Sequence, residues 1–407
     1  MKSSPLIRAQ VALKASLRIL VLVFCAFLFT ACNYWIGGLN QPLRTPTPDH
    51  PTEPAAVPGA TPVADLITVP PDFTISIFAQ GLVGPRMMAI GPDGSLYVAE
   101  RGAGRILRLP DQDRDGKTDN IQVVAKDLFA PSSLAFYKDG SLFVGETTRI
   151  FRLSLPDEQG IFQKHEVVID GLPEGGHTTR TVLFSPDWLN LFVSIGSSCN
   201  ACSETDPHRA TIMRYRPDGN GGWVFASGLR NAVGITFRPG TDQLWATNNS
   251  RDLLGDDLPP DTIQVVHQGQ DFGWPHCHAG RIADPNLGSA ASCKGVSPPA
   301  VYLQAHSAPL GLTFYSGSQF PSEYQGNLFV ALHGSWNRTI PTGYKVVRIP
   351  FIDGRPGPIQ DFAVGWLRSG QAWGRPVDVI NSIDGSLLVS DDEGGIIYRI
   401  AYTGKEK

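Results

Sequence analysis

The chain has 407 residues, with 34 Lys and Arg against 38 Asp and Glu and a formal net charge of -4. A balance this close to neutral, with no basic stripe, excludes a nucleic-acid footprint as the organising feature.

Lys2, Arg8, Lys14 and Arg18 precede an apolar run from Ile19 to Phe29, and small residues then lead into Cys32. That is the layout of a signal peptide, with an apolar run too short to span a bilayer comfortably. Phe29-Thr30-Ala31-Cys32 resembles a bacterial lipobox, so residues 1–31 read as a lipoprotein signal and Cys32 as the lipidated mature N-terminus. Simple secretion and an uncleaved anchor are the alternatives. From Gln41 to Pro62 the chain is rich in Pro, Thr and Ala and poor in large apolar side chains, which gives a semi-extended linker rather than a core. Residues 32–65 are therefore expected to be a tether, and the protein an extracytoplasmic one, at the cell surface or in the periplasm, touching the membrane only through its lipid.

From residue 66 to 402 one pattern recurs: apolar strand, turn, apolar strand. It runs from Met88 to Glu100 with Asp93-Gly94, from Leu134 to Glu146 with Asp139-Gly140, and from Val182 to Ile195 with Pro186-Asp187. It returns from Gly234 to Asn248 with Pro239-Gly240, from Leu310 to Leu332 with a longer turn, and from Val377 to Asp391 with Asp384-Gly385. The second strands align on Leu96, Leu142, Leu191, Leu244, Leu328 and Leu387, mostly ~45 to 60 residues apart, the period of propeller blades. Further short β-rich runs such as Ile106 to Leu109 bring the count to about four strands per blade, and no long stretch has a helical period. The expectation is an all-β, six-bladed β-propeller of four-stranded antiparallel blades. A sandwich with chance turn similarity is the alternative.

In a propeller, residues before the first strand and after the second strand of each blade share one mouth. The first set gives Arg86, Ser132, Ser133, His177, Arg180, Arg230, Asn231, His306, Ser307 and Arg375. The second gives Glu100, Glu146, Ser197, Ser198, the segment from Asn248 to Arg251, the segment from His333 to Arg338, and Asp391 to Glu393. Converging guanidinium groups repel one another unless an anion sits among them, so the mouth reads as a pocket for a polar, anionic ligand. Asp111, Asp113, Asp115 and Asp119, with Gly116 between them, alternate oxygen ligands around a sharp turn and read as a structural calcium loop on the opposite face. A solvated acidic turn is the alternative. Cys25 and Cys32 fall in the leader, which leaves Cys199 with Cys202 and Cys277 with Cys293 as two locally spaced disulfides, against zinc near His276 and His278.

Gly175-Gly176-His177, Gly228-Leu229-Arg230-Asn231, Asn248-Asn249-Ser250-Arg251-Asp252 and Phe272-Gly273-Trp274-Pro275 resemble the glucose/sorbosone dehydrogenases. The similarity spans roughly Leu66 to Tyr402. His306-Ser307-Ala308-Pro309-Leu310-Gly311 and Leu332-His333-Gly334-Ser335-Trp336-Asn337-Arg338 point to the sorbosone dehydrogenase-like subgroup. The resemblance implies a six-bladed propeller that uses pyrroloquinoline quinone (PQQ) and calcium. It places the general base on His177, a cofactor-polarising cation on Arg230, and calcium-binding carbonyls on Ser250 and Arg251. Asn231, His333, Arg338 and Arg375 are expected to hold the cofactor. Glucose-oxidising members have an acidic residue where this chain has Gly176, a Gln near Ser198, Gly-Pro at Ser250-Arg251 and a Lys near His333, which argues against glucose as the substrate.

The resulting expectation is a quinoprotein dehydrogenase for a sugar or sugar aldehyde. It would pass electrons to a separate acceptor, a cytochrome or a quinone, since the sequence has no Cys-x-x-Cys-His haem site. The alternatives are a non-catalytic binding propeller and a calcium-dependent propeller lactonase.

Overall fold

A computed structural model of the chain describes residues 63–157 and 160–404. The leader, Cys32 and nearly all of the tether lie outside these residues. No helix among the described residues is long and apolar enough to cross a membrane.

The described residues form six four-stranded antiparallel sheets. In chain order from the innermost strand, blade 1 is Pro85–Ile90, Leu96–Glu100, Arg105–Leu109 and Gln122–Ala125. Blade 2 is Ser133–Phe136, Leu142–Gly145, Ile150–Pro156 and Phe162–Ile169, and blade 3 is Arg180–Phe184, Leu191–Ile195, Thr211–Tyr215 and Trp223–Ala226. Blade 4 is Ile235–Phe237, Leu244–Asn248, Thr262–Val266 and Val301–Tyr302, and blade 5 is Pro309–Phe314, Leu328–Leu332, Lys345–Ile349 and Gln360–Val364. Blade 6 takes Pro376–Asn381, Leu387–Asp391 and Ile396–Tyr402 from the end of the domain and its fourth strand, Phe73–Gln80, from the beginning. Phe73 pairs with Tyr402 and Gln80 with Ile396, so the ring is closed by its two ends.

The second strands are buried at every position because each sheet is covered on both faces. Along blade 1, Leu96, Val98, Leu107 and Leu109 pack against Phe78, Leu388 and Ile397 of blade 6. The alternate side chains Tyr97, Ala99 and Ile106 pack against Leu134, Leu142 and Val144 of blade 2. The core is thus a set of inter-blade layers, with Met87, Val233, Leu310 and Val377 meeting where the inner strands converge. The first turns follow one chemistry: Asp93, Asp139 and Asp384 accept the backbone N–H of Ser95, Ser141 and Ser386, two residues on. Gly94, Gly140 and Gly385 supply the positive φ that these turns require.

Both cysteine pairs are disulfides, Cys199 with Cys202 and Cys277 with Cys293, so their sulfurs are not zinc ligands. The second closes the long insertion before the last strand of blade 4, where Cys277–His278 pairs with Ile282–Ala283.

Candidate active site

His177 ends the Gly175-Gly176 turn that leads into blade 3. Gly176 has φ of 62°, and a Cβ there would lie 2.4 Å from Ser198 Cα, so the turn presses directly on the next segment of the mouth. The backbone N–H of His177 donates to Ser197 O at 2.9 Å, and its ring Nδ1 lies 3.0 Å from the same carbonyl. A carbonyl only accepts, so this contact puts the ring proton on Nδ1 and leaves Nε2 with its lone pair. Nε2 makes no hydrogen bond among the described residues. Burial first, and then the charge of Arg230, pull the His177 pKa down to about 3. The sequence suggests a base that titrates near neutrality; the structure instead holds this imidazole neutral throughout the physiological range.

Two guanidinium groups brace this turn. Arg180 is fully buried and donates to the carbonyls of His177 and Thr179, both at 2.8 Å, and to Pro173 O at 2.5 Å. Arg209 donates to Gly175 O at 2.8 Å and to Glu174 O. Burial, with Arg209 and Arg101 nearby, lowers the Arg180 pKa to about 9.

Arg230 enters from the start of blade 4 and is 5% exposed. Its Nε donates to Asn200 O at 3.0 Å, and Nη2 donates to Asn200 Oδ1 at 3.0 Å and to Asp252 Oδ2 at 2.7 Å. Nη1 donates to Ser250 O at 2.8 Å and approaches Asn249 O at 3.4 Å. Asp252 also accepts Asn337 Nδ2 at 3.3 Å and lies 3.9 Å from His306 Nδ1, which ties blade 4 to blade 5. The side-chain amide of Asn231 makes no hydrogen bond among the described residues, and a Cβ on Gly196 would lie 2.7 Å from its Oδ1.

A second cluster joins blades 1, 5 and 6. Asp392 accepts Arg86 Nη1 at 2.7 Å and lies 2.8 Å from His333 Nε2. Burial raises the Asp392 pKa, but His333 and then Arg86 outweigh it and hold the group ionised. Arg375 lies over the Tyr344 ring, 4.9 Å from its centroid, and reaches His333 O and Gly334 O only at 3.5 Å. It makes no carboxylate contact among the described residues.

Several expected positions have other employment. Arg338 donates to Asp256 O and to Asp257 Oδ1 at 2.9 Å, because the blade 4 loop offers it a carboxylate. The Ser250 carbonyl, expected to face calcium, faces Arg230, and the Arg251 side chain pairs with buried Asp284. Glu100, Glu146 and Asp391 lie at the mouth end of their blades but are fully buried. They accept the backbone N–H of Val83, Phe129 and Arg375 and clip each blade to the chain entering it. Arg209 and Asn200 were missed, since both sit in the irregular segment between the second and third strands of blade 3; the Cys199 to Cys202 spacing was the signal that this segment is fixed.

On the other face, carboxylate oxygens of Asp111, Asp113 and Asp115 lie within 4.8 Å of one another. Asp111 Oδ1 is buried without a partner, and burial followed by the charges of Asp115 and Asp113 raises its pKa. Asp119 stands apart, accepting Gln112 N at 2.8 Å to close the loop.

The ring and its mouth define a class, the six-bladed propellers that gather arginine and histidine side chains at one end of the ring. The TrAA12-like family matches residues 67–403, and the chain belongs to it. A pyrroloquinoline quinone-dependent pyranose dehydrogenase of Coprinopsis cinerea is 28% identical over 411 residues, covering 84% of this chain and 56% of the relative. An uncharacterized protein of Borreliella burgdorferi is 36% identical over 233 residues, covering 56% of this chain and 61% of the relative. The chain thus spans less than two thirds of the length of either relative. Among solved structures, the holo PQQ domain of the Coprinopsis cinerea pyranose dehydrogenase superposes with a TM-score of 0.72 at 23% identity, over 82% of this chain and 97% of that one. The PQQ-bound aldose sugar dehydrogenase of Streptomyces coelicolor gives 0.59 at 20% identity, over 82% and 99%. At these identities the superpositions speak for the fold.

Proposed function

We propose that this chain is a PQQ-dependent dehydrogenase acting on a sugar or sugar aldehyde and delivering electrons to a separate acceptor. The carrying observation is a neutral imidazole with a free Nε2 at a mouth that also holds Arg230 and the carboxylate-free Arg375. The Coprinopsis cinerea relative, a PQQ-dependent pyranose dehydrogenase by name, supports the same reading.

The residues fit the cofactor. PQQ is a tricarboxylate, and the Arg375 side chain and the free amide of Asn231 are polar groups at the mouth not engaged by a carboxylate, while His333, next to Arg375, is already bound to Asp392. Those three would hold it, and Arg230 would face it through the Nη1 hydrogen that is spent only on the long Asn249 contact. When bound, the quinone supplies the two-electron acceptor. His177 takes the hydroxyl proton of the substrate at Nε2 while Nδ1–H stays on Ser197 O, so the ring cannot turn away as it becomes charged. Arg180 and Arg209 keep the His177 turn from drifting as that charge develops. Of the two carbonyls expected to hold calcium, that of Ser250 already accepts Arg230 Nη1, and no step here depends on an ion at this place. The acidic loop does fit calcium, as a structural ion remote from the chemistry.

The lactonase alternative wants free carboxylates converging on the channel, whereas Asp252 and Asp392 are each engaged by cations. We further place the protein outside the cytoplasmic membrane, held by a lipid on Cys32, on the strength of the leader sequence.

The test is titration of purified protein with PQQ, followed by dye reduction across a sugar and sugar-aldehyde panel. His177→Gln should lower turnover by about 100-fold with PQQ affinity little changed. If the wild type binds no PQQ at micromolar concentration, the proposal fails.

A further inference from the structure

The geometry points to Asn200, pinned inside the Cys199–Cys202 ring, as the residue that positions Arg230, so that reducing this disulfide unfastens the site. The inference deepens the dehydrogenase reading and rests on it for its catalytic arm alone.

Asn200 is a loop residue, yet it makes five hydrogen bonds to three separate segments. Its carbonyl accepts Arg230 Nε at 3.0 Å and Trp274 Nε1 at 3.2 Å. Its Oδ1 accepts Arg230 Nη2 at 3.0 Å and Asp252 N at 2.8 Å, and its Nδ2 donates to Asp252 O at 3.0 Å. A guanidinium gripped along its Nε–Nη2 edge can neither rotate nor slide. Asn alone suits this place: Asp lacks the donor and would set a second carboxylate beside Asp252, and Ala supplies neither function.

A loop residue can hold a cation still only if it is itself held. The disulfide spans three residues of sequence, with Cα atoms 6.2 Å apart, and Asn200 lies inside that ring. The same ring reaches the imidazole, since Ser197 Oγ donates to Cys199 O at 2.6 Å and lies 3.0 Å from His177 Nδ1. Both cysteines are partly accessible, next to exposed Ser198 and Ser203, so a small dithiol can reach them. The dithiol gives up two electrons and two protons and closes its own disulfide, while Cys199 and Cys202 become thiols.

The readout is solvent exchange of the Arg230 Nε–H in arginine-labelled protein, followed by NMR without any cofactor. Arg348 Nε, which donates to Asn327 Oδ1 at 2.7 Å in blade 5, is the internal control. Asn200→Ala and dithiol-treated wild type should each speed Arg230 exchange by at least ~10-fold and leave Arg348 unchanged. In the PQQ-loaded enzyme both should lower kcat by ~10-fold or more, with KM for the sugar within twofold. Unchanged Arg230 exchange in either sample overturns the inference, as does faster exchange with an unaltered kcat. Should Asn200→Ala fail to fold, the reduced wild type decides alone. A wild type that binds no PQQ sinks the dehydrogenase reading, while the exchange arm still judges the hold of Asn200 on Arg230.

Discussion

Asp252→Ala is the sharpest test of how the mouth is held together. Arg230 is 5% exposed, and among the described residues Asp252 at 2.7 Å is the only carboxylate it touches. Its other acceptors are neutral: the Asn200 carbonyl and amide oxygens and the Ser250 and Asn249 carbonyls. Asp261 is also near, but burial pushes its own pKa up to about 6, and its oxygens are spent on Ser250 N and Ala308 N. Removing one partner of a buried pair leaves an uncompensated charge and costs about 3–5 kcal/mol. The ring runs from Phe73 to Tyr402. At roughly 2.1 cal/mol/K per residue its unfolding entropy is about 0.7 kcal/mol/K, so the melting temperature should fall by about 4–7 °C. Asp252→Asn keeps an acceptor for Arg230 and should lose about half as much. Scanning calorimetry at pH 7.5 measures both, and added salt should change the difference little because the pair is shielded from solvent. A loss under about 2 °C for the alanine variant would show that Asp261, or a shift of Arg230 itself, compensates the charge, and the argument would be wrong.

Stability should also fall as pH rises toward neutrality. Burial pushes Asp378 and Asp391 up to about 7, so the folded state keeps protons that the unfolded state gives up above about pH 4. Their contribution is full below the unfolded value and is lost as pH climbs through 7, by up to ~1.4 kcal/mol per unit and group. His177, pulled down to about 3, opposes this at acid pH. Asp378→Asn should flatten the profile of melting temperature between pH 5 and 8, and equal slopes in variant and wild type would contradict the assignment. Asp113→Ala should abolish a calcium-dependent rise in melting temperature without moving KM; a large kinetic effect at unchanged stability would count against a structural ion. Cys32→Ser should release the protein from the membrane fraction, and an intact mass showing an unmodified residue at the mature N-terminus of the wild type would refute lipidation.

What could be read from the residues and what could not divide along physical lines. Strand pairs joined by Asp93-Gly94, Asp139-Gly140 or Asp384-Gly385 carry their own turn signal, so six blades were visible locally. The strand Phe73–Gln80 has no such signal, because its partner lies at the far end of the domain. His177 and Arg230 were legible from their place before the inner strands and from the motifs around them. Glu100, Glu146 and Asp391 were misread as mouth lining because a carboxylate looks the same in sequence whether it greets a ligand or clips a backbone N–H. The partners of Arg338 and of the Ser250 carbonyl were not legible for a related reason: which neighbour wins a donor or an acceptor depends on loops from two blades meeting in space.

Closing the ring with its first strand sets an order of events as well as a shape. Emerging N-terminus first, Phe73 must wait for Tyr402, its partner in the register, which at 5–20 residues per second is roughly 15–65 s later. Its aromatic neighbours Phe320, Tyr324 and Phe362 emerge only late in that interval and Tyr402 at its end, and until then blade 6 has an open edge. Blades 1 to 3 emerge first, so the residues of the His177 turn and of the Cys199–Cys202 ring are present before those of blade 6. The Arg375 side of the mouth arrives only with the last residues, and a ligand that bridges the two sides can therefore bind nothing but a finished ring.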